Sequence, residues 1–183
     1  RDWSSDVCSS DLFALACRNY PRDERFKCLI KEEVASVVKK LRNHPSIILW
    51  AGDNEIDLVF YTRDLNPETN KITRKWIPEV LQLHDPVRPY LPSSPYICGE
   101  IFENKALENL PESHLWGPRD FYKSSYYKDS KSHFVSETGY HGMTSLESLK
   151  KFITAEKLWP YQNNSEWILH SSDQKGNDKR LML

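Results

Sequence analysis

Five consecutive apolar residues, Ile47-Ile48-Leu49-Trp50-Ala51, stand between the turn at Pro45 and the polar string Gly52-Asp53-Asn54-Glu55. A continuous apolar run of that length has no polar face to offer water. It fits a strand covered on both faces, as in a parallel sheet. Parallel neighbours cannot be joined by a tight hairpin and need a crossover, usually a helix. The preceding segment supplies one. Over 23–43, Phe26, Leu29, Ile30, Val34, Val37, Val38 and Leu41 recur three and four apart and form one apolar stripe. Asp23, after Pro21, suits an N-cap. Asn43-His44-Pro45 ends the helix, because a residue before proline avoids the α region.

The same alternation continues. A second helix is predicted near 73–84, with Trp76, Ile77, Val80 and Leu81 on one face and Pro78 kinking it or delaying its start. Strand-sized segments follow at Arg88–Pro92, at the end of His114-Leu115-Trp116, and at Ser132–Ser136, with Glu137 next in line. A helix then starts near Ser145, where Thr144 and Glu147 match a capping box and Leu146, Leu149 and Phe152 give the stripe. Strand ends near 50, 91, 115 and 136 make the βα rhythm of a parallel α/β fold. Their spacing suits successive units of a (β/α)8 barrel. A doubly wound sheet has the same rhythm, but no glycine-rich phosphate loop follows any of these strands.

Composition narrows the partners. Of 183 residues, 39% are hydrophobic and 28% charged, which describes a globular segment rather than a disordered or membrane one. A net charge of -1 gives no reason to expect nucleic acid or an anionic membrane surface. No apolar run approaches the length of about 18 residues that a membrane span needs. The 6 Trp, 9 Tyr and 7 Phe can fill a core or serve as flat platforms for sugar rings. Cys8, Cys17, Cys28 and Cys98 show no CxxC pair, which leads us to expect thiols and a cytoplasmic setting. The six histidines lack HExxH or comparable spacing, so no metal and no cofactor is expected. No GxSxG elbow points to an unrelated α/β hydrolase. Residues 1–12, RDWSSDVCSSDL, repeat Ser-Ser-Asp without apolar period. They read as a translated sequencing adapter outside the fold, which leaves 13–183 as the domain.

Glu55 and Glu137 each follow a predicted strand, and in a barrel both would reach the C-terminal face where catalytic groups are built. Glycosidic cleavage needs such a pair, one carboxyl holding a proton and one ionised. Arg42-Asn43-His44-Pro45-Ser46-Ile47-Ile48-Leu49-Trp50 with Gly52, Asn54 and Glu55 resembles the acid/base signature of glycoside hydrolase family 2. Phe134-Val135-Ser136-Glu137-Thr138-Gly139-Tyr140 resembles its nucleophile signature. His114-Leu115-Trp116-Gly117, Asn19-Tyr20-Pro21 and Arg88-Pro89-Tyr90-Leu91-Pro92-Ser93-Ser94 resemble its β-mannosidase-like branch.

The resemblance implies a partial TIM barrel, running from the end of its third strand to the segment after its seventh. It implies a retaining exo-β-glycosidase acting on terminal β-mannosides. The same chemistry on β-galactoside, β-glucuronide or β-glucosaminide is the near alternative, and a non-catalytic carbohydrate-binding barrel the distant one. Glu55 would be the acid/base and Glu137 the nucleophile. Asn54 would bind sugar near its 2-hydroxyl, Trp116 would wall the cleaved sugar's subsite, and His114 and Tyr140 would contact hydroxyls. Trp50 would pack inside. Asp53 stands where many relatives carry Asn and is expected to turn toward supporting hydrogen bonds. Thr138 replaces an aromatic. Half a barrel leaves two strand edges open, so the 183-residue polypeptide alone is expected to be unstable and inactive.

Overall fold

A computed structural model describes residues 9–116, 125–139 and 144–170. The chain divides into two compact units. One is drawn from residues up to His114 together with Lys131–Ser136, the other from Leu115–Ser130 together with the residues from Glu137 on.

The first unit is an α/β assembly around a parallel sheet of order β1-β2-β3. Its central strand, β2 (Ile47–Ala51), is the apolar run. β3 (Tyr90–Leu91) pairs with it in parallel, Trp50 opposite Tyr90 and Ala51 opposite Leu91. The predicted strand 88–92 shortens to two residues because Pro89 and Pro92 cannot donate to the ladder. On the other side β1 (Ser9–Leu12) pairs in parallel, Leu12 opposite Ala51. These four residues belong to the leader that the sequence reading set aside. A ladder is made of backbone N–H and C=O groups, so an extended segment of any composition can occupy it.

Helix α1 (Glu24–Leu41) begins at Asp23, whose carboxylate accepts from the Phe26 amide at 2.9 Å. Ile30, Val34 and Val38 are buried. Leu29, at the margin of the predicted stripe, is exposed. α1 packs on α3 (Ile77–His84). The chain reaches α3 through a π-helical turn over Ile72–Trp76. Pro78 lies in the first turn of α3, where its missing N–H costs little, so the proline delays the α-helix as expected. Trp50 is the centre of the core. It is fully buried, its ring stacks on Phe13 at 5.6 Å, and its Nε1 donates to Asp85 Oδ2 at 2.8 Å. β2 is not covered throughout: Ile48 is exposed, and full burial starts at Trp50. Two further helices, α2 (Ile56–Thr62) and α4 (Gly99–Asn104), follow β2 and β3.

β4 (Glu112–Leu115) and β5 (Phe134–Thr138) form a two-stranded sheet. Glu137 lies within β5 rather than after it. Among the described residues the second unit has the short helices α5 (Ser125–Lys128), α6 (Leu146–Leu149) and α7 (Ser165–Leu169). Leu149 and Ile153 are its buried hydrophobic side chains among the described residues. The cap of α6 is Ser145, whose Oγ accepts from the Ser148 amide, and not Thr144. The helix is one turn long, so Phe152 falls outside it and is exposed. Among the described residues no helix is long and apolar enough to cross a membrane.

Candidate active site

The backbone of the polar string after β2 is held by hydrogen bonds to segments on both sides. The Asn54 amide donates to Leu15 O at 2.9 Å, the Cys17 amide to Asn54 O at 2.8 Å, the Ser94 amide to Asp53 O at 2.9 Å and the Glu55 amide to Ser94 O at 2.8 Å. The segments that follow β1 and β3 thus clamp the segment that follows β2. Gly52 makes the approach possible. A Cβ there would lie 2.3 Å from both Pro92 O and Tyr90 Oη. Glu55 pays a conformational cost, standing at φ 61 and ψ 11, the left-handed region that side chains other than glycine rarely adopt. Such backbone persists only where surroundings over-determine it, and it clusters at functional sites.

The Glu55 side chain meets two partners. His114 Nδ1 lies 2.9 Å from Oε1, and the Cys17 thiol donates to Oε2 at 3.2 Å. The His114 hydrogen bond, with help from the thiol and against partial burial, holds the Glu55 carboxyl below its ordinary value. Asn54 stands beside it. Its Nδ2 donates weakly to Cys17 Sγ at 3.7 Å, and its Oδ1 is buried without a hydrogen-bond partner among the described residues.

Asp53 turns inward, fully buried. Its Oδ1 accepts from the Ile56 amide at 3.1 Å and from Ser93 Oγ at 2.5 Å, so it caps α2 directly behind Glu55. Burial pushes its carboxyl from the ordinary 3.8 up to about 7, against the Ser93 hydrogen bond. The folded state therefore keeps a proton that the unfolded state releases. The stabilisation from this neutral group is full below about pH 4 and is lost as pH rises through about 7. Asp53→Asn cannot ionise and can keep both acceptor contacts. Its stability relative to the parent sequence is expected to improve from pH 5 to pH 8 by about 1–3 kcal/mol. Melting both proteins at the two pH values checks this. An unchanged difference would mean that Asp53 does not titrate in that window.

In the second unit, Trp116 Nε1 donates to Glu137 Oε2 at 2.8 Å. The indole lies on Gly139, where a Cβ would come within 2.3 Å of Cζ3. The Gly139 amide donates to Leu115 O at 3.3 Å and Tyr127 Oη donates to Gly139 O at 3.2 Å, which fixes the strand under the ring.

The first unit thus brings together Asn54, Glu55 and His114, and the second brings together Trp116 and Glu137. Tyr140 lies outside the described residues. Sequence reading missed three groups: Cys17, Ser94 and Glu112. The last had a signal, since residues i and i+2 of a strand share a face and Glu112 is two before His114.

No protein-family model matches the chain. A β-mannosidase from Capra hircus is 32% identical over 92% of the chain, and one from Bos taurus is 30% identical over 92%. The chain spans 21% of the length of each, about one fifth. The crystal structure of a β-D-mannosidase from Dictyoglomus thermophilum superposes with a TM-score of 0.77 at 31% identity, covering 93% of this chain and 21% of that one. Along this stretch the chain is similar to β-mannosidases in both sequence and fold.

Proposed function

We propose that the chain forms part of the catalytic (β/α)8 barrel of a retaining exo-β-mannosidase. Its substrate is a carbohydrate with a terminal β-mannoside. Glu55 is the acid/base, and Glu137 is the nucleophile that forms the glycosyl-enzyme intermediate. The observation that carries this reading is the treatment of the two glutamates. Each sits in or just after a strand and is held by a ring nitrogen, Glu55 by His114 and Glu137 by Trp116, in a chain whose relatives named above are β-mannosidases.

The chemistry follows from the partners. Glu55 delivers a proton to the leaving oxygen as Glu137 attacks the anomeric carbon. Water then enters from the side the leaving group vacated, and Glu55 removes its proton. The indole N–H orients the Glu137 carboxylate through Oε2. Asn54 Oδ1, which has no hydrogen-bond partner among the described residues, suits a hydroxyl of the sugar, and a hydroxyl near C2 gains most from such a contact in the transition state. The Trp116 face forms a wall for the same sugar.

The test is hydrolysis of 4-nitrophenyl β-glycosides by the full-length protein that carries this chain. The β-mannoside is expected to have the highest kcat/KM, and proton NMR is expected to show β-mannose as the first anomer released. Preference for the galactoside, glucuronide or glucosaminide would overturn the substrate. α-Mannose as first product would overturn the double displacement.

A further inference from the structure

Behind Glu55 and His114 lie Glu112, Ser94 and Ser136, to which neither the resemblance nor the relatives' names give a role. Glu112 and His114 share one face of β4. The imidazole is 2% exposed, with Nδ1 2.9 Å from Glu55 Oε1 and Nε2 3.0 Å from Ser94 Oγ. Ser94 and Ser136 both donate to Glu112 Oε1. Glu112 Oε2 is buried without a hydrogen-bond partner among the described residues. A carboxylate ringed by neutral hydroxyls, with one oxygen left over, has an arrangement suited to a charge beyond those hydroxyls. The nearest candidate cation is the imidazole, whose Nε2 is 3.7 Å from Glu112 Oε1.

Proton counting gives the line a direction. A serine hydroxyl has one proton to donate. A carboxylate oxygen is a stronger acceptor than a neutral ring nitrogen, so the Ser94 proton goes to Glu112. Toward the ring Ser94 can then only accept, and Nε2 carries a hydrogen. Nδ1 and Glu55 are left sharing a single proton, on the carboxyl when the ring is neutral and on Nδ1 when the ring is an imidazolium.

Building on the reading of Glu55 as acid/base, we propose that Glu112 is a positioning residue for it. Through Ser94 it fixes the His114 tautomer, and by its charge it keeps the shared proton on the His114–Glu55 pair, ready for the leaving oxygen. Among the described residues of this unit the Cys17 thiol also meets Glu55, donating to Oε2, whereas His114 meets Oε1.

Glu112→Gln keeps the shape and removes the charge. A negative charge this near favours the protonated state of the pair, so its loss makes the pair give up the proton at lower pH. In the full-length protein, the alkaline limb of kcat/KM against pH for 4-nitrophenyl β-D-mannoside is expected to move down by about one pH unit. With the 2,4-dinitrophenyl mannoside, whose leaving group needs no proton, kcat/KM is expected to stay within about twofold of the parent. A merely structural role would lower both substrates equally and leave the limb in place, and either result overturns the proposal. Should Glu112→Gln fail to fold, Glu112→Ala removes the same charge, and an unmoved alkaline limb there overturns it as well. A parent protein that hydrolyses no β-glycoside removes the reading of Glu55 and this inference together. An active parent with an unshifted Glu112→Gln profile removes this inference alone.

Discussion

Glu137→Gln is expected to lower kcat/KM on the β-mannoside by at least about 10³-fold while leaving the melting temperature close to that of the parent protein. The argument rests on shape. The amide oxygen of glutamine can still accept the Trp116 Nε1 hydrogen bond, which is 2.8 Å long in the native site. What the variant lacks is the ionised oxygen that attacks. A second experiment assigns the two roles. In Glu137→Ala, added azide enters the space of the lost carboxylate and attacks from the face opposite the leaving group, giving the α-mannosyl azide. In Glu55→Ala with an activated substrate, azide arrives after the intermediate has formed, on the other face, and gives the β-mannosyl azide. The reverse pattern of products would exchange the two assignments, and full activity in Glu137→Gln would end the claim that it is a nucleophile.

Arg74→Met is expected to produce the largest loss of stability, about 3–5 kcal/mol. Arg74 and Asp57 form a two-pronged pair, Nη1 to Oδ1 and Nη2 to Oδ2, both at 2.7 Å. Asp57 is fully buried, and its Oδ2 also accepts from the Ile97 amide at 3.0 Å. Burial already pushes the Asp57 carboxyl up despite the guanidinium. Without Arg74 the carboxylate would stay in the core uncompensated or take up a proton. The loss is therefore expected to be greater at pH 8 than at pH 5, and denaturant unfolding of the full-length protein at both values measures it. Lys105→Met supplies the contrast. Its 2.5 Å pair with Asp64 is well exposed, 51% and 82%, and such pairs contribute about 1 kcal/mol or less. Equal losses from the two variants would show that burial does not set the strength of the Arg74 pair.

The parts of this structure that could be read from the sequence are those written in local periodicity. The stripe from Ile30 to Val38, the cap at Asp23, the run at Ile47–Ala51 and the delay at Pro78 each depend on neighbours within a few residues. Glu55 and His114 stood out in the sequence because each lies in or beside a predicted strand inside a distinctive string. The remainder depends on contacts distant in sequence. Ser94 reaches Glu55 across 39 positions and Ser136 reaches Glu112 across 24, and no periodicity links them. The left-handed backbone of Glu55 was invisible for the same reason, since segments from three parts of the chain impose it. The strand pairing of Ser9–Leu12 was unreadable in principle, because the ladder asks nothing of the side chains.

Trp116 and Gly139 carry a historical constraint. With a Cβ at 139 placed 2.3 Å from the indole, neither position can change size while the other stands still. A lineage that enlarged residue 139 would first have to trade the tryptophan for a smaller ring, and in doing so would give up the N–H that holds Glu137. The two positions are therefore one inherited unit, expected to covary or to stay fixed together across descendants. A relative with a bulky residue at 139 and tryptophan still at 116 would break that bond between them.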